Sequence, residues 1–215
     1  MARPVPVGWI RVPLMALLGL FALVTCVCAA EDAPGIRARL VQVSVLRGNF
    51  EQEKQISGFR NPLKSSGDFL LARGKGLVWN TRHPFASTLV LTPRGMRTGS
   101  AGSSETPAGP GRVSGSGVGM ANQLLMALLG GDFAGLSGQF RMVESVSPDG
   151  SWRLQLVPRR GPLKAVFKQI ELRGDRFVRS VRLLEPGGDV TQLVFAKLRE
   201  TPTTLSADEA RQLGQ

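Results

Sequence analysis

The 215-residue chain predicts a mainly β fold with a few helices, and three features carry that expectation. Short runs with β-branched or aromatic residues recur beyond Asn49, separated by Gly and Pro. Consecutive runs have no helix of crossover length between them, which disfavours parallel α/β and argues for an antiparallel meander. The breaks at Gly174-Asp175 and at Pro186-Gly187-Gly188 read as hairpin turns. A large sheet of this kind curls into a barrel or half-barrel.

The first thirty residues read as a cleaved secretory signal. Arg3 and Arg11 stand without an acid before an apolar run from Leu14 to Cys28, and Ala29 and Ala30 form a small-residue exit ahead of Glu31. The run is shorter than the ~20 residues of a spanning helix, which argues against a permanent anchor. Leu23-Val24-Thr25-Cys26 faintly suggests lipoprotein processing, but Thr before the cysteine fits poorly, so plain cleavage and a periplasmic location are expected. Residues 31–215 then form one domain, without internal repeats.

From Gly35 to Arg47, Ile36, Leu40, Val43 and Leu46 recur at helical spacing, which predicts an amphipathic helix. Strands are expected over Gly67 to Arg73, Leu77 to Arg82, Ser87 to Thr92, Gln139 to Val146 and Trp152 to Val157, then over Leu163 to Leu172, Arg176 to Leu184 and Asp189 to Leu198. Thr98 to Gly117 is rich in Gly, Ser and Pro and reads as a loop. It leads into an apolar helix from Val118 to Leu129, stopped by Gly130-Gly131. Ser206 and Glu209 form a capping-box pattern for a final helix from Ala207 to Leu213.

Charge and composition narrow the function. Removing Arg3 and Arg11 from the 27 basic residues leaves 25 against 16 acidic ones, a net of +9. Export argues against nucleic acid as the partner and points to anionic head groups or an acidic protein surface. Both cysteines, Cys26 and Cys28, lie in the signal, there is one histidine, and tyrosine is absent, so most nucleophile, base and metal-ligand sets cannot be assembled. His83 before Pro84 reads as a loop residue. Glu51 and Glu53 share a strand face, the minimum for a two-carboxylate glycosidase, but with Gln52 and Lys54 beside them they read better as a solvated face. Gly115 to Gly119 lacks the context and lysine of a phosphate loop. The chain is therefore expected to be no enzyme and to use no cofactor.

The helix from Val118 to Leu129 is apolar nearly all round, with Met120, Leu124, Leu125, Met126, Leu128 and Leu129. It is either a buried core helix or a lid over a greasy ligand. On the strand from Phe69 to Arg73, residues 69, 71 and 73 share one face, so a guanidinium with five donors stands beside Phe69 and Leu71. If that face is interior, Arg73 can latch a lid by holding its carbonyls; if exterior, it is an edge residue.

Gly48-Asn49-Phe50-Glu51-Gln52, Gly67-Asp68-Phe69-Leu70-Leu71-Ala72-Arg73, Leu77-Val78-Trp79 and Pro84-Phe85 before Leu89-Val90-Leu91 resemble the opening of the LolA outer-membrane lipoprotein carriers. The resemblance implies an incomplete antiparallel β-barrel, a half-barrel with a helical lid, that binds the acyl chains of a lipoprotein. Such a carrier takes its cargo from an inner-membrane release complex to an outer-membrane acceptor. It implies a latch role for Arg73, a place near the mouth for Leu77 and a recurrent tryptophan at Trp79. The acyl-chain cavity is then expected among Phe69, Leu71, Trp79, Leu89 and Leu91 with Met120, Leu124, Leu125, Leu128 and Leu129. Partner docking is expected at Leu77 and at Arg173, Arg176, Arg179 and Arg182. Departures from the pattern, such as Gly74 after Arg73 and the reduced segment Arg94 to Arg97, suggest a divergent branch, with another lipid or lipid-linked molecule as the alternative cargo. A lipid-binding sensor of the same fold is the competing class.

Overall fold

In a computed structural model the structure describes residues 35–100, 124, 126, 127, 130 and 133–214. The expected signal, the loop from 101 to 117 and most of the apolar helix lie outside the described residues.

The expected helix over 35–47 is one turn long. Helix α1 spans Ile36–Arg39, and Leu40 already has extended backbone. Ile36 and Leu40 bury their side chains as a helical i, i+4 pair. Beyond them Val41, Val43 and Val45 alternate with polar residues, a period of two that suits a strand. Strand β1, Val45–Gln55, begins there and pairs with neighbours on both sides. Two ladders of backbone hydrogen bonds outweigh a helical stripe that only Val43 and Leu46 would have extended.

Strands β2 (Leu63–Ala72), β3 (Gly76–His83), β4 (Ser87–Thr92) and β5 (Gly95–Ser100) follow as a meander. Strand β5 takes in Met96 and Arg97 and the first residues of the expected loop. After a 3-10 turn at Ala134–Leu136 come β6 (Phe140–Val146) and β7 (Trp152–Pro158). The expected strand from Leu163 to Leu172 divides into helix α2, Leu163–Val166, and strand β8, Gln169–Gly174. Pro162 sits before α2 with helical backbone angles and starts the turn. Strands β9 (Val178–Leu184) and β10 (Val190–Arg199) and helix α3 (Ala207–Gln212) complete the chain. Strand β9 starts after Phe177 because Asp175 and Phe177 close the turn, the amide of Phe177 donating to the Asp175 carboxylate at 3.0 Å.

The ten strands form one antiparallel sheet in the order β5-β4-β3-β2-β1-β10-β9-β8-β7-β6. Strand β1 pairs with β10, with Phe50 opposite Phe195, so the two meanders meet at the centre. Strands β5 and β6 are the two edges, and the sheet is an open half-barrel.

Its two faces are covered differently. On the inner face Ile36, Phe50, Phe69, Leu77, Trp79, Phe140, Trp152, Leu154, Ile170 and Phe195 belong to one large apolar cluster that runs through both meanders. On the outer face Val45, Leu70, Ala72, Val78 and Val90 form a small cluster under Leu213 at the end of α3. Helix α3 carries the expected capping box: the Ser206 hydroxyl accepts from the Glu209 amide at 3.2 Å, and the Glu209 carboxylate accepts from the Ser206 amide at 2.8 Å.

Candidate functional site: an arginine at the rim of an apolar floor

The period-two pattern of β2 puts Phe69 and Leu71 on the inner face, and both are buried there. Their neighbours on β3 and β4 complete an aromatic and aliphatic floor. Trp79 stacks on Phe50 with ring centroids 3.8 Å apart and on Phe69 at 6.0 Å, while Phe195 meets Phe69 edge-on at 5.5 Å. Leu91 is buried in the same cluster and Leu89 packs against it half-buried. Leu124 is buried in this cluster, and Met126 and Ala127 pack against it, so described residues of the apolar helix lie on the floor.

Of the expected cavity residues, Phe69, Leu71, Trp79, Leu91 and Leu124 are brought together, with Leu89 at their margin. They pack against one another in that cluster. Met120, Leu125, Leu128 and Leu129 lie outside the described residues. Phe50 and Phe195 belong to the floor and were not among the expected lining residues. The alternation of apolar and polar residues on β1 signals Phe50. Nothing local signals Phe195, whose place depends on the β1–β10 register.

Arg73 follows the last residue of β2, on the side of Phe69 and Leu71 but beyond the core, where it is exposed. The sequence offered an interior or an exterior arginine; the observed place is the rim of the inner face. Its amide donates to Ser44 O at 2.9 Å. Its guanidinium donates to Val43 O at 3.2 Å, to the side-chain oxygen of Gln42, and to Gly130 O at 2.8 Å. One side chain thus joins the end of β2, the α1–β1 linker and the last described helical residue of the segment that lies on the floor. A Cβ on Gly130 would stand 4.0 Å from Leu71 Cδ2, so that end of the segment touches the floor as well as the arginine.

The expected docking residues are corrected at several points. Leu77 is 0% exposed, opposite Leu71 and Leu91 in the centre of the core, and has no surface to offer. Arg173 pairs with Glu171 at 2.7 Å, Arg176 with Glu200 at 2.9 Å, and Arg179 with Asp175 at 2.9 Å. Arg176 and Arg179 also lie over the ring of Phe177, at 5.0 and 5.6 Å from its centroid. Burial alone would raise the Asp175 and Glu171 carboxyls, but their arginine partners, with Phe177 N–H and Gln155, hold both below the usual range. Three of the four arginines are therefore locally neutralised, and of the four Arg182 alone is exposed with no ion pair to a described residue.

A second arginine clamp lies toward the outer face. Arg47 of β1 makes two hydrogen bonds of 2.7 Å to the Glu209 carboxylate, and it donates to Pro202 O at 2.7 Å and Thr204 O at 2.9 Å. The Arg47 hydrogen bonds and the Ser206 amide outweigh partial burial and pull the Glu209 carboxyl down to about 2. Glu51 and Glu53 are exposed on β1, with Glu53 3.5 Å from Lys64, and His83 is exposed at the end of β3. Among the described residues no group of three or more His, Cys, Asp or Glu could hold a metal ion, and no helix is long and apolar enough to cross a membrane.

An open antiparallel half-barrel with an apolar inner face, a short helix on its outer face and a rim arginine defines the structural class. The family model for outer membrane lipoprotein carrier protein LolA-like proteins matches residues 25–212, and the chain belongs to that family. The family is one of carriers. No curated protein matches the chain. Among solved structures, it is similar to a LolA superfamily protein from Nitrosomonas europaea at 9% identity, covering 81% of this chain and 92% of that one, with a TM-score of 0.40. It is also similar to a putative outer membrane lipoprotein-sorting protein domain from Vibrio parahaemolyticus at 11% identity, covering 83% and 95%, with a TM-score of 0.36. MucB in complex with MucA(peri) is similar at 15% identity, covering 76% of this chain and 55% of that one, with a TM-score of 0.37. The family assignment rests on the matched family model.

Proposed function

We propose that this protein is a periplasmic carrier that binds the acyl chains of a lipoprotein between its sheet and its apolar helix and moves them from the inner to the outer membrane. The observation that carries this reading is the set of bonds at Arg73. One exposed guanidinium holds Gly130 O, Gln42 and Val43 O at the rim of an aromatic floor on which Leu124 and Met126 lie.

The chemistry follows from what an acyl chain needs. Each methylene moved out of water contributes about 0.8 kcal/mol, so a chain can replace Leu124 and Met126 on the floor if the segment lifts. Release requires the converse step. Hydrogen bonds at an exposed site contribute about 1 kcal/mol each, which keeps the lifted and seated arrangements within a few kcal/mol of each other. The carrier therefore needs no reaction, only a ligand that competes with its own helix.

Native mass spectrometry with lipid extraction, on protein isolated from an envelope fraction, tests this directly. A co-purifying acylated species whose retention changes when Arg73 is replaced supports the carrier. Arg73→Leu is expected to leave the fold intact and to trap or spill cargo; normal transfer by that variant removes the latch from the mechanism.

A further inference from the structure

Alternate turns of an antiparallel meander share an end of the sheet. The β1–β2, β3–β4, β7–β8 and β9–β10 connections therefore lie at one end, and Arg73, in the β2–β3 connection, lies at the other.

The shared end carries two unusual features. On the ten residues from Arg159 to Lys168 stand Arg159, Arg160, Lys164 and Lys168, with no acid among them. All four are exposed, and none has an ion pair among the described residues. This is the opposite of the neutralised arginines on β8 and β9. Arg159 and Arg160 also line a cavity of about 560 Å³ with Gln139, Gly161 and Pro162. Its wall is fixed, because Arg159 Nε donates to Phe140 O at 3.0 Å and Arg159 N to Gln139 O at 2.9 Å.

The second feature is apolar. Phe85 on the β3–β4 turn is 82% exposed, and Phe59 and Leu63 on the β1–β2 hairpin are 67% and 61% exposed. The two hairpins are neighbours, since β2 pairs with β3 and Ser66 stands opposite His83. Phe59 projects from a pinned tip: its amide donates to Ile56 O at 3.0 Å and its carbonyl accepts from Gln55 Nε2 at 2.5 Å. Several charges between the features are paired locally, Lys54 with Glu185 and Asp189, Lys64 with Glu53, and Arg82 with Asp68.

We propose that this end docks on a phospholipid bilayer, with Phe59, Leu63 and Phe85 entering the interface and the Arg159 to Lys168 connection taking anionic head groups, one of them in the cavity. Free phosphate would account for the cavity and the cations, but not for the aromatic side chains held out in water on neighbouring turns. Protruding apolar tips suit a deformable phase with an apolar interior, and unpaired cations beside them suit its phosphates. The surface is independent of the cargo reading, and it leaves the Arg73 end free.

Co-sedimentation with vesicles tests the proposal, using protein isolated as it accumulates in the cell envelope. Binding is expected to vesicles that contain phosphatidylglycerol, to weaken with salt, and to be much poorer on pure phosphatidylcholine. Each cation removed is expected to weaken binding about fivefold, so Arg160→Ser, Lys164→Ser and Lys168→Ser together weaken it about a hundredfold. Phe59→Ser with Phe85→Ser is expected to weaken binding to both kinds of vesicle. These side chains are exposed, so the variants should melt like the parent and retain the same bound lipid, which separates a docking failure from a failure of the carrier reading. Parent-like binding by the charge variant overturns the proposal. So does binding of inorganic phosphate alone, or of an acidic polypeptide alone, by a protein that ignores vesicles.

Discussion

Gly67 shows how much a single side chain decides in this fold. The β2–β3 register shifts between Ser66 and Gly67, and there the backbone of β2 comes so near β3 that a Cβ would lie 1.8 Å from Asn80 O and 3.0 Å from Phe50 Cε1. Gly67→Ala must therefore move a strand or the aromatic floor, and a loss of about 2–4 kcal/mol is expected; an unchanged urea midpoint would contradict the close approach. Glu209 makes a pH-dependent contribution. Its folded pKa of about 2 lies below the usual carboxylate value of 4.5, so its contribution is present above pH 4.5 and is lost as the pH falls toward 2. Glu209→Gln is expected to lower stability at neutral pH by roughly 1–2 kcal/mol and to flatten the acid limb of a melting-temperature profile. At this scale the site was partly legible. A period of two placed Phe69 and Leu71 on one face, and only the resemblance to the LolA carriers added Trp79 and Leu91; Arg73 could be read on either side. The neutralisation of Arg173 was readable from Glu171 two residues away, whereas that of Arg176 depends on Glu200, 24 residues along the chain.

Among the elements, legibility follows how local the deciding interaction is. Helix α3 is set by Ser206 and Glu209, three residues apart, and its capping box was readable; β4 spans the expected residues because β-branched and apolar residues fill it between turn signals. Helix α1 was misread because Ile36, Leu40, Val43 and Leu46 fit a helix while Val41, Val43 and Val45 fit a strand, and only the ladders with β2 and β10 decide between them. The same holds for Leu163 to Leu172, where Pro162 opens a helical turn inside a run that otherwise reads as strand. The cap of α3 should be measurable by itself. Ser206→Ala is expected to cost about 1 kcal/mol and to speed amide exchange in Ala207–Gln212 and over the outer-face cluster under Leu213, with little effect on the inner face. Equal acceleration on both faces would mean that α3 supports more of the molecule than its contacts indicate.

For the whole molecule, the inner-face cluster draws side chains from both meanders, with Trp79 and Phe69 of one against Phe195 of the other. A single cooperative unfolding transition is therefore expected by both fluorescence and circular dichroism, and two separated transitions would show that the meanders are independent. The antiparallel meander was legible because most turns are short and marked by Gly, Pro or Asp, whereas the strand number was not, since β5 lies partly in a segment that reads as a loop. The pairing of β1 with β10 was not, since no local signal specifies a register between Phe50 and Phe195. That pairing also has a kinetic consequence. Within each meander, hairpins close loops of a few residues, whereas β1 and β10 can meet only after most of the chain has been brought round. The central ladder should therefore be the slow step of folding. Until it forms, Phe50 and Phe195 sit on two unsealed strand edges, so the folding chain is most prone to aggregate through the strands that end up best protected.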